Sequence, residues 1–362
     1  MSTADEFALP TRPAPGARQT DILFDERAYT AFPHVVALGG DELLMAFRQA
    51  PRQSAIRHTH PRSVITVLRS YDRGATWDAE NATQLAAGGG QEFALVALGG
   101  GLVGGALAKH GVAPRHEAAR AGVPHHHPHE YPFGLNGGYW ALSRNYGFTW
   151  QLEDLRVVDL AAMPSAAPIR TSDDALLLPA YGVASGASVI SSLLYRSPDG
   201  GQSWGPVTLM ATGTADTRAY CEPALVELAP GHLLGLHRSE QVAAGPRGTF
   251  WRNESRDGGR TWSAPVETGI RSGACPRLLR VADGRVLLTF GRRAPPFGLR
   301  ALLSGDGGQT WGDTAWVLRE LPNSDQGYTS SLQLADGRIF TASYGQNAAG
   351  VTGIIGTFWR LP

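Results

Sequence analysis

The chain has 362 residues, enough to bury a substantial core, and 32 Lys plus Arg balance 32 Asp plus Glu, so formal net charge is zero. Lys109 is the only lysine, which leaves no basic stripe for nucleic acid or an anionic membrane surface; the expected partner is a small or neutral molecule. Two cysteines, Cys221 and Cys275, exclude a disulfide framework, and the opening MSTADEFALPTRPAPGARQT shows neither a leader pattern nor a spanning apolar run, so a cytoplasmic location is expected.

Abundant glycine, frequent aromatics and no sustained helical period predict an all-β chain of short strands and tight turns. After a short N-terminal arm over 1–20, a paired pattern repeats to the C-terminus without a linker, which predicts one domain over 21–362. The first half of the pattern is an apolar strand, a Gly/Asp turn and another apolar strand. It recurs six times: FPHVVALGGDELLMAFR from Phe32, EFALVALGGGLVGGALAK from Glu92, SAAPIRTSDDALLLPAY from Ser165, EPALVELAPGHLLGLHR from Glu222, CPRLLRVADGRVLLTFGR from Cys275 and YTSSLQLADGRIFTASY from Tyr328.

Five copies are followed by a third strand, a box and a fourth strand. The boxes read SYDRGATW (Ser70–Trp77), SRNYGFTW (Ser143–Trp150), SPDGGQSW (Ser197–Trp204), SRDGGRTW (Ser255–Trp262) and SGDGGQTW (Ser304–Trp311). Each places an Asp or Asn that can bond nearby backbone N–H groups beside a Gly that accepts positive φ and a Trp that anchors the turn. Their serines lie 73, 54, 58 and 49 residues apart, the length of a four-stranded propeller blade. The sixth copy ends in VTGIIGTFWRLP and lacks a strand, which TDILFDE near residue 21 could supply by pairing the two termini. A six-bladed β-propeller is predicted.

Strands alternate in direction within a blade, so first-strand starts, second-strand ends and the loops to third strands share one face. The starts are Phe32, Glu92, Ser165, Glu222, Cys275 and Tyr328; the ends are Arg48, Ala108, Tyr181, Arg238, Gly291 and Tyr344. This face is the expected site, with the boxes on the opposite one as structural turns. Its overhanging loops carry His58 and His60 in blade one and, between Lys109 and Asn136 in blade two, His110, His116, His125, His126, His127, His129, Glu130 and Tyr131. No fixed ligand spacing joins these histidines, so a solvated loop is expected rather than a metal site. Glu92, Tyr181, Tyr344, Asp216 and Arg218 are expected to line the pocket.

With Asp boxes and six blades, the whole chain resembles the sialidase (neuraminidase) superfamily. Strings such as CPRLLRVADGRVLLTFGRRAPPFGLRALLSGDGGQTW and DQGYTSSLQLADGRI are similar to its BNR-repeat sialidase-like members. The resemblance implies a tyrosine nucleophile activated by a glutamate, an aspartate acid/base and three arginines that clamp a carboxylate. On this chain Glu222 in CEPALVEL matches the glutamate, Arg238 in LGLHRSE the arginine after it, and Tyr328 the nucleophile. Either Arg293 or Arg300 would be the third arginine. Two positions depart from the pattern: Ala31-Phe32-Pro33 stands where sialidases read Arg-Ile-Pro, and His60 stands where the aspartate belongs. Arg48 at the rim could replace the missing guanidinium, and His60 could exchange the proton.

The expected activity is therefore a sialidase-like exo-glycosidase acting on the terminal acidic sugar of a glycan or small carbohydrate, by a retaining Tyr/Glu mechanism without a cofactor. Two rivals follow from the same residues: a polysaccharide lyase acting on uronic-acid glycans, and a carbohydrate-binding propeller without turnover.

Overall fold

The computed structural model describes residues 9–54, 60–85, 88–112, 116, 133–184, 189–214, 218–241 and 248–362. His58, the His125–His129 cluster, Glu130, Tyr131 and Asp216 lie outside the described residues. Six antiparallel sheets follow one another along the chain, each starting with its innermost strand. Blade one runs from Ala28–Gly39 through Glu42–Pro51 and Val64–Ser70 to Asp78–Leu85. Blade four repeats this with Arg218–Ala229, His232–Gln241, Thr249–Ser255 and Val266–Arg271.

The ring closes as the missing-strand argument requires. Arg18–Leu23 lies antiparallel to Thr352–Trp359 and forms the outer strand of blade six. The stretch expected as an arm is thus partly in the sheets: Thr11–Pro13 also adds a parallel fifth strand to blade five beside Ala315–Val317. Blade three departs from regularity. Its inner edge is split into Ala162–Pro164 and Ile169–Arg170, with Pro164 and Pro168, which have no N–H to give a ladder, at either side of the gap.

Apolar alternation along each strand feeds clusters between neighbouring blades. Leu44, Ile65 and Val67 of blade one pack with Phe93, Leu107 and Trp150 of blade two, and Leu236 and Phe250 of blade four with Leu288 and Phe290 of blade five. Each buried side chain of this size stabilises the fold by about 1.5–3 kcal/mol. The box turns join this packing. In the box at Ser255, the serine hydroxyl accepts from Gly259 N–H at 2.8 Å, Asp257 accepts from Thr261 N–H at 2.9 Å, and Trp262 donates to the Gly259 carbonyl at 3.2 Å. Trp262 then packs with Leu177 and Leu194 of the preceding blade. Gly258 N–H bonds the Gly231 carbonyl of the hairpin joining the first two strands, which puts the box at the end of the ring opposite the first-strand starts.

Candidate active site

Two distortions of the inner strands shape the site. The ladder between first and second strands shifts between Cys221 and Ala224 in blade four, and between Ala31 and His34 in blade one. Each shift surrounds a residue followed by proline, which donates no ladder bond. Glu222 (φ 47°) and Phe32 (φ 61°) are consequently held in the left-handed region, where a side chain other than glycine costs on the order of 1 kcal/mol or more. That conformation, absent from a regular strand, turns Glu222 toward the ring axis.

Glu222 and Tyr328, 106 residues apart, meet there: the phenol donates a hydrogen bond to Glu222 Oε1. Arg238 Nη1 binds the other carboxylate oxygen at 2.9 Å and its Nη2 pairs with Glu240. Both partners of the central bond are almost sealed, Glu222 at 5% exposure and Tyr328 at 6%. Burial pushes the Glu222 carboxyl up, but Arg238 and the Tyr328 hydroxyl outweigh it and hold it below its ordinary value. Burial and then the Glu222 charge push the Tyr328 phenol well above 10. The resting pair is a carboxylate and a neutral phenol.

Arg293 completes this group. Its guanidinium carbon lies 5.5 Å from the Tyr328 ring centroid, Nε donates to the Gln326 carbonyl at 3.0 Å and Nη2 to the Tyr344 hydroxyl at 3.4 Å. The Tyr344 ring is 6.1 Å from that of Tyr328. Close approach here depends on Gly291 and Gly327, since a Cβ on Gly291 would stand 2.3 Å from the Gly327 Cα. Phe32 packs edge-on against Tyr328 at 4.8 Å and Tyr344 at 5.2 Å, so blade one contributes an aromatic ring here. Burial, then the charges of Glu222 and Glu92, raises the Tyr181 phenol, which puts it within electrostatic reach of both carboxyls.

Four expected residues stand away from the Tyr328–Glu222 pair. Arg300 is not at this centre: it is almost fully buried in blade five, pairs with Glu320 at 3.2 Å and lines a small cavity with Leu9 and Ile270, because its strand is third from the axis. Of the two arginines left open by sequence, Arg293 is the one that reaches Tyr328. Arg48 is buried with its guanidinium 5.5 Å from the Tyr29 ring, toward the side where Tyr29 donates to Asp325 at 3.0 Å. His60 accepts from Arg62 N–H at 3.0 Å through Nδ1 and lines a cavity of about 110 Å³ with Tyr29, Arg52 and Thr352; neither Glu222 nor Tyr328 lines that cavity. Arg218, expected as a pocket residue, stacks on Trp251 at 4.1 Å and donates to Ser239.

Sequence reasoning missed Arg277, His34 and the Tyr29–Asp325 pair. Arg277 follows Cys275 by two, so strand alternation alone would have aimed it at the same axis.

Residues 132–341, more than half the chain, match the BNR repeat-like domain, and the chain belongs to that family. Together with the six-bladed architecture this makes it a BNR-repeat β-propeller protein. No curated protein sequence matches the chain. Among solved structures, a protein of unknown function from Dyadobacter fermentans DSM 18053 is similar over 96% of this chain and 100% of its own, with 24% identity and a TM-score of 0.79. Trypanosoma rangeli sialidase in complex with sialic acid is similar over 96% of this chain and 59% of its own, with 14% identity and a TM-score of 0.62. The alpha-L-arabinanase of Penicillium chrysogenum, complexed with arabinobiose, covers 96% and 99% at 13% identity and a TM-score of 0.65. At these identities the likeness concerns the fold.

Proposed function

We propose that the protein is a retaining exo-glycosidase that removes a terminal acidic sugar, a sialic acid or a related acid, with Tyr328 as nucleophile. The observation that carries this reading is the buried Tyr328–Glu222 hydrogen bond, flanked by the Arg238 and Arg293 guanidinium groups. A phenol far above its ordinary pKa does not ionise beforehand. Attack on the anomeric carbon and transfer of the phenolic proton to Glu222 would therefore proceed together, with the two arginines compensating the charge. His60, which lines the adjoining cavity with Tyr29, would protonate the departing oxygen of a glycoside whose leaving group extends into that cavity. Water, giving its proton to the now neutral His60, would then displace Tyr328 from the anomeric carbon of this aryl glycoside as Glu222 returns the proton to the phenol oxygen. Arg238 and Arg293 would hold the sugar's acid group, and with Phe32 in place of a third guanidinium the grip on that group would be weaker than a three-arginine clamp.

The test is a panel of aryl glycosides of sialic and uronic acids, with acidic polysaccharides alongside, given to the wild-type protein and to Tyr328→Phe. Aryl release that the substitution reduces by about 10³-fold or more supports the reading. Undiminished release by Tyr328→Phe overturns it. An unsaturated product from a polysaccharide would mean elimination instead of hydrolysis, and glycan binding without product would mean a binding propeller.

A further inference from the structure

Below the Tyr328–Glu222 pair lies a second, fully internal charge cluster that the proposed mechanism does not use. Arg277 (7% exposed), Glu92 (1%) and His34 (2%) come from the inner strands of blades five, two and one. The Arg277 guanidinium lies 5.6 Å from the Tyr328 ring centroid. Its Nη2 donates to the Ser165 carbonyl of blade three and its Nη1 to the Pro276 carbonyl at 3.1 Å, so two blades hold it in place. Glu92 Oε2 stands 3.6 Å from Arg277 Nη2 and 3.7 Å from His34 Nε2, and no hydrogen bond to that oxygen is formed. Arg277 and His34 also line the roof of an axial cavity of about 330 Å³ walled by the inner strands of all six blades.

The charge balance of this arrangement is unusual. A buried guanidinium needs a counter-charge close by, since an uncompensated one is strongly destabilising. Burial favours the neutral form of Glu92 even with Arg277 beside it. Three guanidinium groups, Arg238, Arg277 and Arg293, thus gather around the Glu222 carboxylate and the Tyr328 ring, with Glu92 behind Arg277. A further negative charge on the Tyr328 oxygen is what this set is arranged to receive.

We propose that Arg277, clamped by the Ser165 carbonyl and backed by Glu92, is a positioning residue for the Tyr328 nucleophile: it fixes the ring from beneath and favours its phenolate. The inference rests on Tyr328 being the reactive group. The other ionisable groups facing Tyr328 are Glu222 and Arg238 from blade four, Cys275 and Arg293 from blade five, Glu92 from blade two and Tyr344 from blade six. Arg277 differs from Arg238 and Arg293 in its place: it belongs to the floor and would act on the enzyme's own phenol.

The experiment replaces Tyr328 by a difluorotyrosine, whose phenol ionises in an accessible range, and follows its titration by fluorine NMR in the full-length protein. Because no substrate is needed, a protein inactive on every glycoside still tests the inference separately from the glycosidase reading. Arg277→Met is expected to move the titration upward by about 1 pH unit, and Arg277→Lys, which keeps the charge, to recover part of that shift. A titration unmoved in Arg277→Met with an unchanged near-UV circular dichroism spectrum overturns it. Should Arg277→Met fail to fold because Glu92 is stranded, Glu92→Gln/Arg277→Met is compared with Glu92→Gln. The same upward shift is then expected, and its absence is equally decisive.

Discussion

The Tyr328 hydroxyl and the Glu222 carboxylate, both largely buried, are joined at the ring axis by a hydrogen bond. Blade four can present the carboxylate only because Glu222 adopts positive φ at a bulge, and blade six presents the phenol just before its first strand begins. The bond leaves the proton on tyrosine and the charge on glutamate. Glu222→Gln keeps the shape and a hydrogen-bonding oxygen but cannot take the proton. It is expected to lower kcat on an aryl glycoside by about 10²- to 10⁴-fold and also to lower the melting temperature, since Arg238 loses its buried counter-charge; steady-state kinetics and calorimetry check both.

Arg293 and Arg300 separate into two roles. Arg293→Met removes a guanidinium from the Tyr328 ring and should raise KM for an acidic glycoside by about 10-fold or more, as expected for a charge-assisted contact. Arg300→Met removes the Glu320 partner in blade five and should change KM less than about 3-fold while lowering stability by about 1–3 kcal/mol in urea unfolding. Equal kinetic effects of the two substitutions would contradict this division.

The role assigned to His60 predicts a pH limb. Burial, then the Arg62 and Arg48 charges, lowers its pKa below 6.5, and a proton donor works only in the protonated form. Turnover of a glycoside with a poor leaving group should therefore fall as pH rises through a value below 6.5. His60→Ala should remove that limb, yet leave glycosides of acidic phenols, which depart without help, nearly unaffected. An unaltered pH profile in His60→Ala would assign the proton to another group.

The box turns predict acid sensitivity. Side-chain and backbone bonds from Ser203, Thr261 and Thr310 hold Asp199, Asp257 and Asp306 ionised, each with a pKa lowered from 3.8 to about 2. A carboxyl depressed in the folded state contributes stability that is present above its unfolded value and lost as pH falls through its folded one. The window is about pH 4 to 2. Replacing all three by Asn, the residue that already serves at Asn145 in blade two, should flatten the fall in melting temperature across that window.

Much of the fold was legible in the chain because its signals are local. Alternating apolar residues mark strands, and Ser-x-Asp-x-Gly-x-x-Trp marks turns whose defining Ser, Asp and Trp side-chain hydrogen bonds are made within four residues. Counting them predicts six blades and a ring closed by the two termini, as Arg18–Leu23 against Thr352–Trp359 shows. Equivalent positions in the repeat also put Glu222, Arg238 and Tyr328 at one end of the axis.

What repeat equivalence could not decide was which of these groups touch, since contact across the axis depends on departures from the repeat. Positive φ at Glu222 and Phe32, the glycine contact of Gly291 with Gly327, and the strand position that sends Arg300 outward are each set by neighbours from other blades. Arg277 and Glu92 show the same limit: the sequence by itself determined their residue types and the alternation that aims them inward. Only the packing of blades two, three and five brought those two side chains together beneath Tyr328, in an interior from which water is excluded.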